Sequence, residues 1–481
     1  MKKSIEYSVL LLLLIPLFFI NIKTSHDWGD DFAQYLHQAK NITQGISQNE
    51  TGYVFNKDVF LGPQAYPVGF PLLLAPFVKH YGLNFEVLNY LMTTFLALSC
   101  LFGFLILRGR FSFITALFTT LIIAYNPVML NFKTEVVSDL AFTTFLMACI
   151  YLIPKNKNTL IALLLGLLMG LLAHIRAIGI LMIIVFVIHN LFFENKITSF
   201  TIQKHKLSGL TLLSFSLIYI SLKFGFPCNT NYPSFFEFNG LLDRTTEHLS
   251  YNTLSLSTFF NIYEPKNQYF IGVISSSALV VFSILGFLYN WKTSKFSFTN
   301  LFVLAYISCI AIFKFSDAGI RFIVPILFLI FYYAIIGLKQ SLKDIVTNWQ
   351  ITSIVFGLII ILSYKPAIEK LFDTTKNVID GPCTDASYDM FNKIKSLNLS
   401  NGIIVFEKPR ALALFTNTKS IALKNDNSNS EIEKQLKHYN ATHLLINKSI
   451  PNEALANYIA SDSLNTSLIY SNVDYQFYKL R

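Results

Sequence analysis

Asp30 and Asp31 stand side by side in HDWGDDFAQYLHQAKNI (26–42), just beyond the apolar run VLLLLLIPLFFI that begins at Val9. A carboxylate that meets a hydroxyl can take its proton as a general base. Neighbouring side chains on a helix point about 100° apart, so one of the two acids acts and the other supports it. Hydrolysis between two facing carboxyls needs a gap that adjacent residues do not supply. Phe32, Tyr35, Leu36, Ala39 and Thr43 recur at helical spacing, which predicts an amphipathic helix starting at the acid pair. A plainer reading is compatible with the catalytic one: Asp31 and Gln34 have capping-box spacing, and a carboxylate suits a helix start in any case.

Three further clusters carry charge beside apolar runs. KTEVVSDLAF sets Lys133, Glu135 and Asp139 at the start of one run, with the two acids four residues apart and so on one side of a helix. HIRAIG places His174 and Arg176 between two short apolar halves, and KFSDAGIRF places Lys314, Asp317 and Arg321 at another turn. Ionisable groups at membrane depth are costly, and they mark function or pair with each other. For any single one, a snorkelling or paired structural charge is the plainer account. Gathered on one side, they suit transfer from a lipid phosphate carrier. Cations would bind the donor phosphate and stabilise it as it leaves, while a carboxylate takes the acceptor proton.

The elements that must position these residues follow from composition. The chain has 481 residues, 53% hydrophobic and 15% aromatic against 14% charged, with a mean hydropathy of +0.49. That balance excludes an ordinary soluble domain and indicates a polytopic α-helical membrane protein. Apolar runs long enough for about 30 Å of hydrocarbon give about eleven spans, near 5–22, 84–107, 112–131, 136–153, 159–174, 177–193, 207–225, 269–290, 299–314, 322–338 and 351–364. No small-x-small cleavage site follows the first run, so it reads as a retained signal anchor with a cytoplasmic N-terminus. The net charge of +10 gathers in short loops such as Arg108/Arg110, Lys155/Lys157 and Lys339/Lys343. This is a topology signal rather than a nucleic-acid footprint. The first outer loop (about 23–83), a second one (about 226–268) and the tail then face outward, where long loops carry function.

YPVGFPLLLAPF (66–77) interrupts an apolar stretch with three prolines and a glycine, as a loop re-entering the membrane or lying on it does; an ordinary Pro-rich loop leading into a span reads equally well. From about residue 365 the composition turns polar. The runs at 402–407, 442–447, 466–471 and 475–480 alternate with helix-like stretches, predicting a small soluble α/β domain over 365–481 beside a membrane module over 1–364. The five cysteines include no CxxC pair, so neither a zinc site nor a disulfide framework is indicated, and a bridge between Cys228 and Cys383 is not expected.

On DDFAQYLHQAKNI, YPVGFPLLLAPF, EVVSDL, AHIRAIG and RFIVPILFL, with KPRALALF in the tail, the chain resembles the GT-C superfamily of integral-membrane glycosyltransferases. The likeness is to the bacterial branch related to protein O-mannosyltransferases and the lipid A aminoarabinose transferase. The resemblance implies an inverting glycosyltransferase of the inner or plasma membrane, with its C-terminal domain periplasmic or extracellular. Its donor would be a polyprenyl-phosphate sugar and its acceptor a hydroxyl of a lipid, glycan or protein on the outer face. Asp31, four residues before Tyr35, corresponds to the family's catalytic acid. Asp30 is its rival, because Phe32 stands where relatives often have a second acid. Arg176 and Arg321, together with Lys133, would contact the donor phosphate. Some relatives use a divalent metal near the acid and others none; Glu135, Asp139 and His174 are the residues that would help hold one. Two other readings share the compartment. A polyprenyl-linked glycan flippase would show paired halves with helices broken near mid-membrane, and an O-antigen-type ligase or polymerase would carry its long outer loops late in the chain.

Overall fold

The computed structural model describes residues 3–59, 61–194, 202–228, 241–260, 268–294, 296–313, 319–373, 378–399, 402–461 and 466–481. Lys314 and Asp317 lie outside them. The expected spans fall on apolar helices, though not all of these reach full crossing length. Among the described residues five do so by length and composition: Phe85–Arg108, His205–Gly225, Gly272–Thr293, Val324–Ser341 and Trp349–Phe372. Shorter apolar helices cover Ser4–Phe18, Phe113–Ala124, Thr159–Ile175, Ala177–Phe193 and Phe298–Ala311, and Ser138–Leu152 is a further helix.

Local chemistry explains several helix ends. Asn84, Ser112, Asn158, Ser297 and Asn348 each accept a backbone N–H of the helix they precede, satisfying donors that the first turn leaves open. On Ile202–Gly225, Leu213, Leu217, Ile220 and Phe224 recur on one face and are all exposed, a stripe that fits lipid rather than water. Gln268–Thr293 and Leu327–Ser341 meet backbone to backbone. A Cβ on Gly286 would lie 1.8 Å from the Tyr333 carbonyl oxygen, and one on Gly337 2.0 Å from that of Phe282. Only glycine permits this approach, the usual way small residues bring helices together in lipid. Buried Glu6 accepts two bonds from Arg108, at 2.8 and 3.1 Å, and ties the first helix to the end of Phe85–Arg108.

Beyond the first helix, Asp31–Gln44 forms the expected helix, burying Phe32, Tyr35, Leu36 and Ala39 and ending at Gly45 in the left-handed region. The capping box does not form. Asp30 occupies the N-cap without accepting a helix N–H, and Gln34 donates to the Thr51 hydroxyl and the Gln64 carbonyl. The Pro-rich stretch is neither re-entrant coil nor loop from Gly69 onward. It forms the helix Gly69–Tyr81, with Pro76 inside, packed against Asp31–Gln44.

The tail folds around a five-stranded mixed sheet in the order β2-β1-β3-β5-β4, where β1 is Ile403–Val405, β2 Lys419–Ile421, β3 Ala441–Asn447, β4 Thr466–Ser471 and β5 Tyr475–Leu480. β1 pairs parallel with β2 and β3, while β5 pairs antiparallel with β3 and β4. Four strands match the expected runs. β2 and the helices Pro409–Thr416 and Glu453–Ser461 did not stand out from periodicity.

One side of the sheet has its own core, with Val405, Ile421, Ile432, Leu444 and Leu455. On the other, Phe406, Leu412, Leu445 and Phe477 join the core that runs through the first outer loop and the membrane helices. The loop also lays a short extended piece on the sheet edge: Val54 donates to the Ser420 carbonyl and Ser420 to that of Gly52, both at 2.9 Å. Asn56 donates to the Ala422 carbonyl and accepts from the Tyr439 hydroxyl. The β2 edge is thereby covered, as exposed strand edges must be. All five cysteines are free.

Candidate active site

Three arginines and three aspartates alternate through the junction of outer loop, span ends and tail. Arg176 sits where the helix Thr159–Ile175 stops, in extended backbone between two apolar halves. Its guanidinium donates to Asp139 Oδ1. Asp139 lies in the first turn of Ser138–Leu152, a favourable place for a carboxylate. Arg321, on the single turn Gly319–Phe322, donates through Nε and Nη2 to Asp139 Oδ2 at 3.2 and 3.1 Å. Its Nη1 donates to Asp31 Oδ2 at 2.8 Å. Asp31 Oδ1 accepts the Tyr66 hydroxyl at 2.5 Å and lies 3.4 Å from Nη1 of Arg410, whose Nε lies 3.5 Å from Asp30 Oδ2.

Exposure separates the roles. The Asp139 and Arg410 side chains are fully enclosed, whereas those of Asp31 and Arg321 keep 22% and 31% of their surface and that of Arg176 20%. Of the two neighbouring acids, Asp31 is the more accessible, since Asp30 retains 10%. Burial pushes both carboxyls up. At Asp31 the Arg321 and Arg410 guanidiniums and the Tyr66 hydroxyl outweigh it and hold the group below the usual carboxylate range. At Asp30 burial wins over Arg410 and Lys408, and the group rises to about 6. Asp31 is therefore the acid that stays ionised on the acid side of neutrality, whereas Asp30 takes up a proton as pH falls through about 6. Tyr35 supports the arrangement from below, stacked on Tyr66 at 4.5 Å with its hydroxyl 3.0 Å from Ser138 Oγ.

The cluster thus brings together Asp30, Asp31, Asp139, Arg176 and Arg321, but not the other expected residues. Lys133, expected at the donor phosphate, is fully buried, and its ammonium donates to the Asn21 carbonyl and the Thr93 hydroxyl. It braces the interior, because a buried ammonium takes whatever acceptors enclose it. Glu135, Asp139 and His174, expected around a metal, do not gather. His174 Nε2 faces the Tyr219 carbonyl at 3.0 Å, and Asp139 is closed off by its two arginines.

Glu135 instead turns to His26, and with Asp27 these residues offer three ligand atoms within 4.8 Å of one another. The His26 ring is already engaged. Nε2 accepts the Val136 N–H at 3.2 Å, Nδ1 lies 3.0 Å from the Asp27 carboxylate, and the ring stacks on Phe32 at 3.8 Å. A cation would have to take Nε2 from a buried backbone donor, so the trio does not fit a metal and the ring serves as a strut. Two members of the site, Tyr66 and Arg410, carried no chemical signal in sequence. Both lie in stretches that resemble the family, YPVGFPLLLAPF and KPRALALF, and only that marked them.

The fold has counterparts among solved structures. Over 92% of this chain and 68% of the other, it superposes on the oligosaccharyltransferase of Archaeoglobus fulgidus, crystallised with zinc and sulfate, at a TM-score of 0.60 and 12% identity. The chain adopts the GT-C fold. The same archaeal enzyme, AglB, in complex with an inhibitory peptide and a dolichol-phosphate, matches at a TM-score of 0.53 and 13% identity, over 93% of this chain and 70% of that one. ArnT from Cupriavidus metallidurans in the apo state matches end to end, over 100% and 98% of the two chains, at 0.50 and 11% identity. No protein-family model matches the chain, and no curated protein matches it in sequence. At such identities the likeness is one of fold, and the chemistry must be argued from the side chains.

Proposed function

We propose that the protein is an inverting glycosyltransferase that moves a sugar from a polyprenyl-phosphate donor to a hydroxyl of a lipid, glycan or protein acceptor, with Asp31 as general base. The observation that carries this reading is the run Arg176–Asp139–Arg321–Asp31, which sets an accessible, ionised carboxylate beside two partly exposed arginines at the ends of apolar helices. The fold supports it, since one matched structure is an oligosaccharyltransferase bound to a dolichol-phosphate. The membrane module (1–364) lies in the inner or plasma membrane with a cytoplasmic N-terminus; the C-terminal domain (365–481) and the site face outward.

The steps follow from the side chains. Arg176 and Arg321, both partly exposed and joined through Asp139, bind the donor phosphate. Arg321 also holds Asp31 Oδ2, so a phosphate that draws Arg321 away releases that oxygen. Asp31 then accepts the acceptor proton. The acceptor oxygen attacks the sugar C1 opposite the phosphate, the C1–O bond breaks, and the phosphate leaves with the electron pair, steadied by the arginines. Donor therefore binds before acceptor. No step is routed through a metal, in keeping with the donor set around His26.

The test is release of sugar from a polyprenyl-phosphate donor by purified Asp31→Asn and Asp30→Asn enzymes. Full activity in Asp31→Asn removes the base assignment, and loss confined to Asp30→Asn moves it to Asp30. A reporter fused within 23–83 that reads cytosolic removes the outward site.

A further inference from the structure

Arg410 reaches the acid pair from 379 residues away in sequence. It follows Pro409 at the start of the helix Pro409–Thr416, and its side chain leaves the tail to enter the first outer loop. The loop is shaped to receive it. The guanidinium lies over the rings of Tyr53 and Tyr66, at 4.8 and 5.3 Å, and Nη2 donates to the Pro63 carbonyl at 2.8 Å. Gly62, at φ 124°, closes the slot, since a Cβ there would lie 2.6 Å from Nη2.

Its contacts with the acids are of another kind. An arginine locked on one carboxylate makes bonds of about 2.8 Å, whereas Arg410 stands 3.4 Å from Asp31 and 3.5 Å from Asp30. One planar fork thus spans two carboxylates that point apart, at a distance where it supplies field to both and clamps neither. Its Nη1 also lies 3.3 Å from Tyr66 Oη as donor. That leaves the tyrosine's own proton for Asp31.

We propose that Arg410 is a positioning residue of the carboxylate centre, so that the docked C-terminal domain is a working part of the transferase, keeping the Asp30/Asp31 pair ionised and aiming the Tyr66 hydroxyl at Asp31. This rests on Asp31 being the base. Asp30 faces Arg410, Lys408, Tyr53 and Asp31; Asp31 faces Arg321, Arg410, Tyr66, Tyr35 and Glu135. Among these groups Arg410 alone is a cation shared by both acids. Without it two enclosed carboxylates lose their common counter-charge, and protonation of the pair moves to higher pH.

The experiment compares full-length wild type, Arg410→Ala, Arg410→Lys, Tyr66→Phe and Asp31→Asn in detergent, measuring kcat, donor KM and the pH profile with a polyprenyl-phosphate sugar. Arg410→Ala should lower kcat about tenfold at pH 7, within the range of a disturbed base. Donor KM should stay within about twofold. The acid limb should move up by about one pH unit, with part of the rate recovered at pH 8.5. Arg410→Lys, which keeps charge without the fork, should restore most of the limb and less of kcat. Tyr66→Phe leaves the domain contact intact and should move the limb the same way by a smaller step. A wild-type profile in Arg410→Ala and Tyr66→Phe overturns the proposal, as does a loss of rate in Arg410→Ala that neither high pH nor lysine recovers. A fully active Asp31→Asn enzyme instead overturns the base assignment beneath it.

Discussion

Asp139 and Asp31 both stand among arginines and share Arg321, yet they are built for different work. Asp139 is sealed, with one oxygen on Arg176 and the other on Arg321, and nothing approaches it from outside. Asp31 shares its charge among Arg321, the Tyr66 hydroxyl and a distant Arg410 and keeps part of its surface open. The difference separates an anchor from a tool. A carboxylate whose acceptors are saturated and enclosed fixes the arginines; one held by partners that can be drawn off can take a proton.

Mutation can break that comparison at either end. Asp31→Asn should lower the rate of sugar transfer by about 10²–10⁴, the contribution of a positioned base, with donor KM little changed. Asp139→Ala should act on folding, because it removes the carboxylate partner of Arg176 and one of the two that hold Arg321. A loss of ~3–5 kcal/mol is expected, read as lower thermal stability and poor recovery of monodisperse protein. If Asp139→Ala folds normally and loses only turnover, the anchor role is wrong. Arg176→Ala should raise donor KM about tenfold, equivalent to ~1.4 kcal/mol, and donor binding as tight as wild type would discard its phosphate role.

The pH dependence sharpens the comparison further. Asp30 titrates near 6. As pH falls through that value Asp30 becomes neutral and the whole charge of Arg410 bears on Asp31, which weakens it as a base. A two- to threefold drop in rate, of roughly 0.5 kcal/mol, should appear there and vanish in Asp30→Asn. The smallest effect on activity is expected at Lys133. Lys133→Met should keep donor KM within about twofold while costing about 1–3 kcal/mol of stability through the buried Asn21 carbonyl that loses its ammonium donor, seen as a lower melting temperature.

Much of the scaffold was legible in sequence because its signals are local. The apolar runs fell on helices, four of the five strands matched alternating runs, and the amphipathic stretch after Asp30 is a helix. β2, Lys-Ser-Ile, did not stand out because it carries one apolar residue, whereas the equally short β1 is Ile-Ile-Val within an apolar run. Gly69–Tyr81 was missed because its prolines read as breaks; one stands inside the helix all the same, where neighbouring packing makes up for the lost bond. The capping-box reading had the right spacing and failed, because Gln34 found partners in the returning loop.

The sequence by itself determined that the chain is a membrane protein with an acid pair at a helix start and a mixed α/β tail, since hydrophobic period and composition act over neighbouring residues. Only the tertiary structure decided which charges meet. Asp31 and Arg321 are 290 residues apart, and Asp31 and Arg410 379. Charge pairing depends on distance in space and on burial, and no local pattern encodes either; hence His174 and Lys133 carried the right chemistry in the wrong surroundings, and an arginine of the tail proved to belong to the first loop.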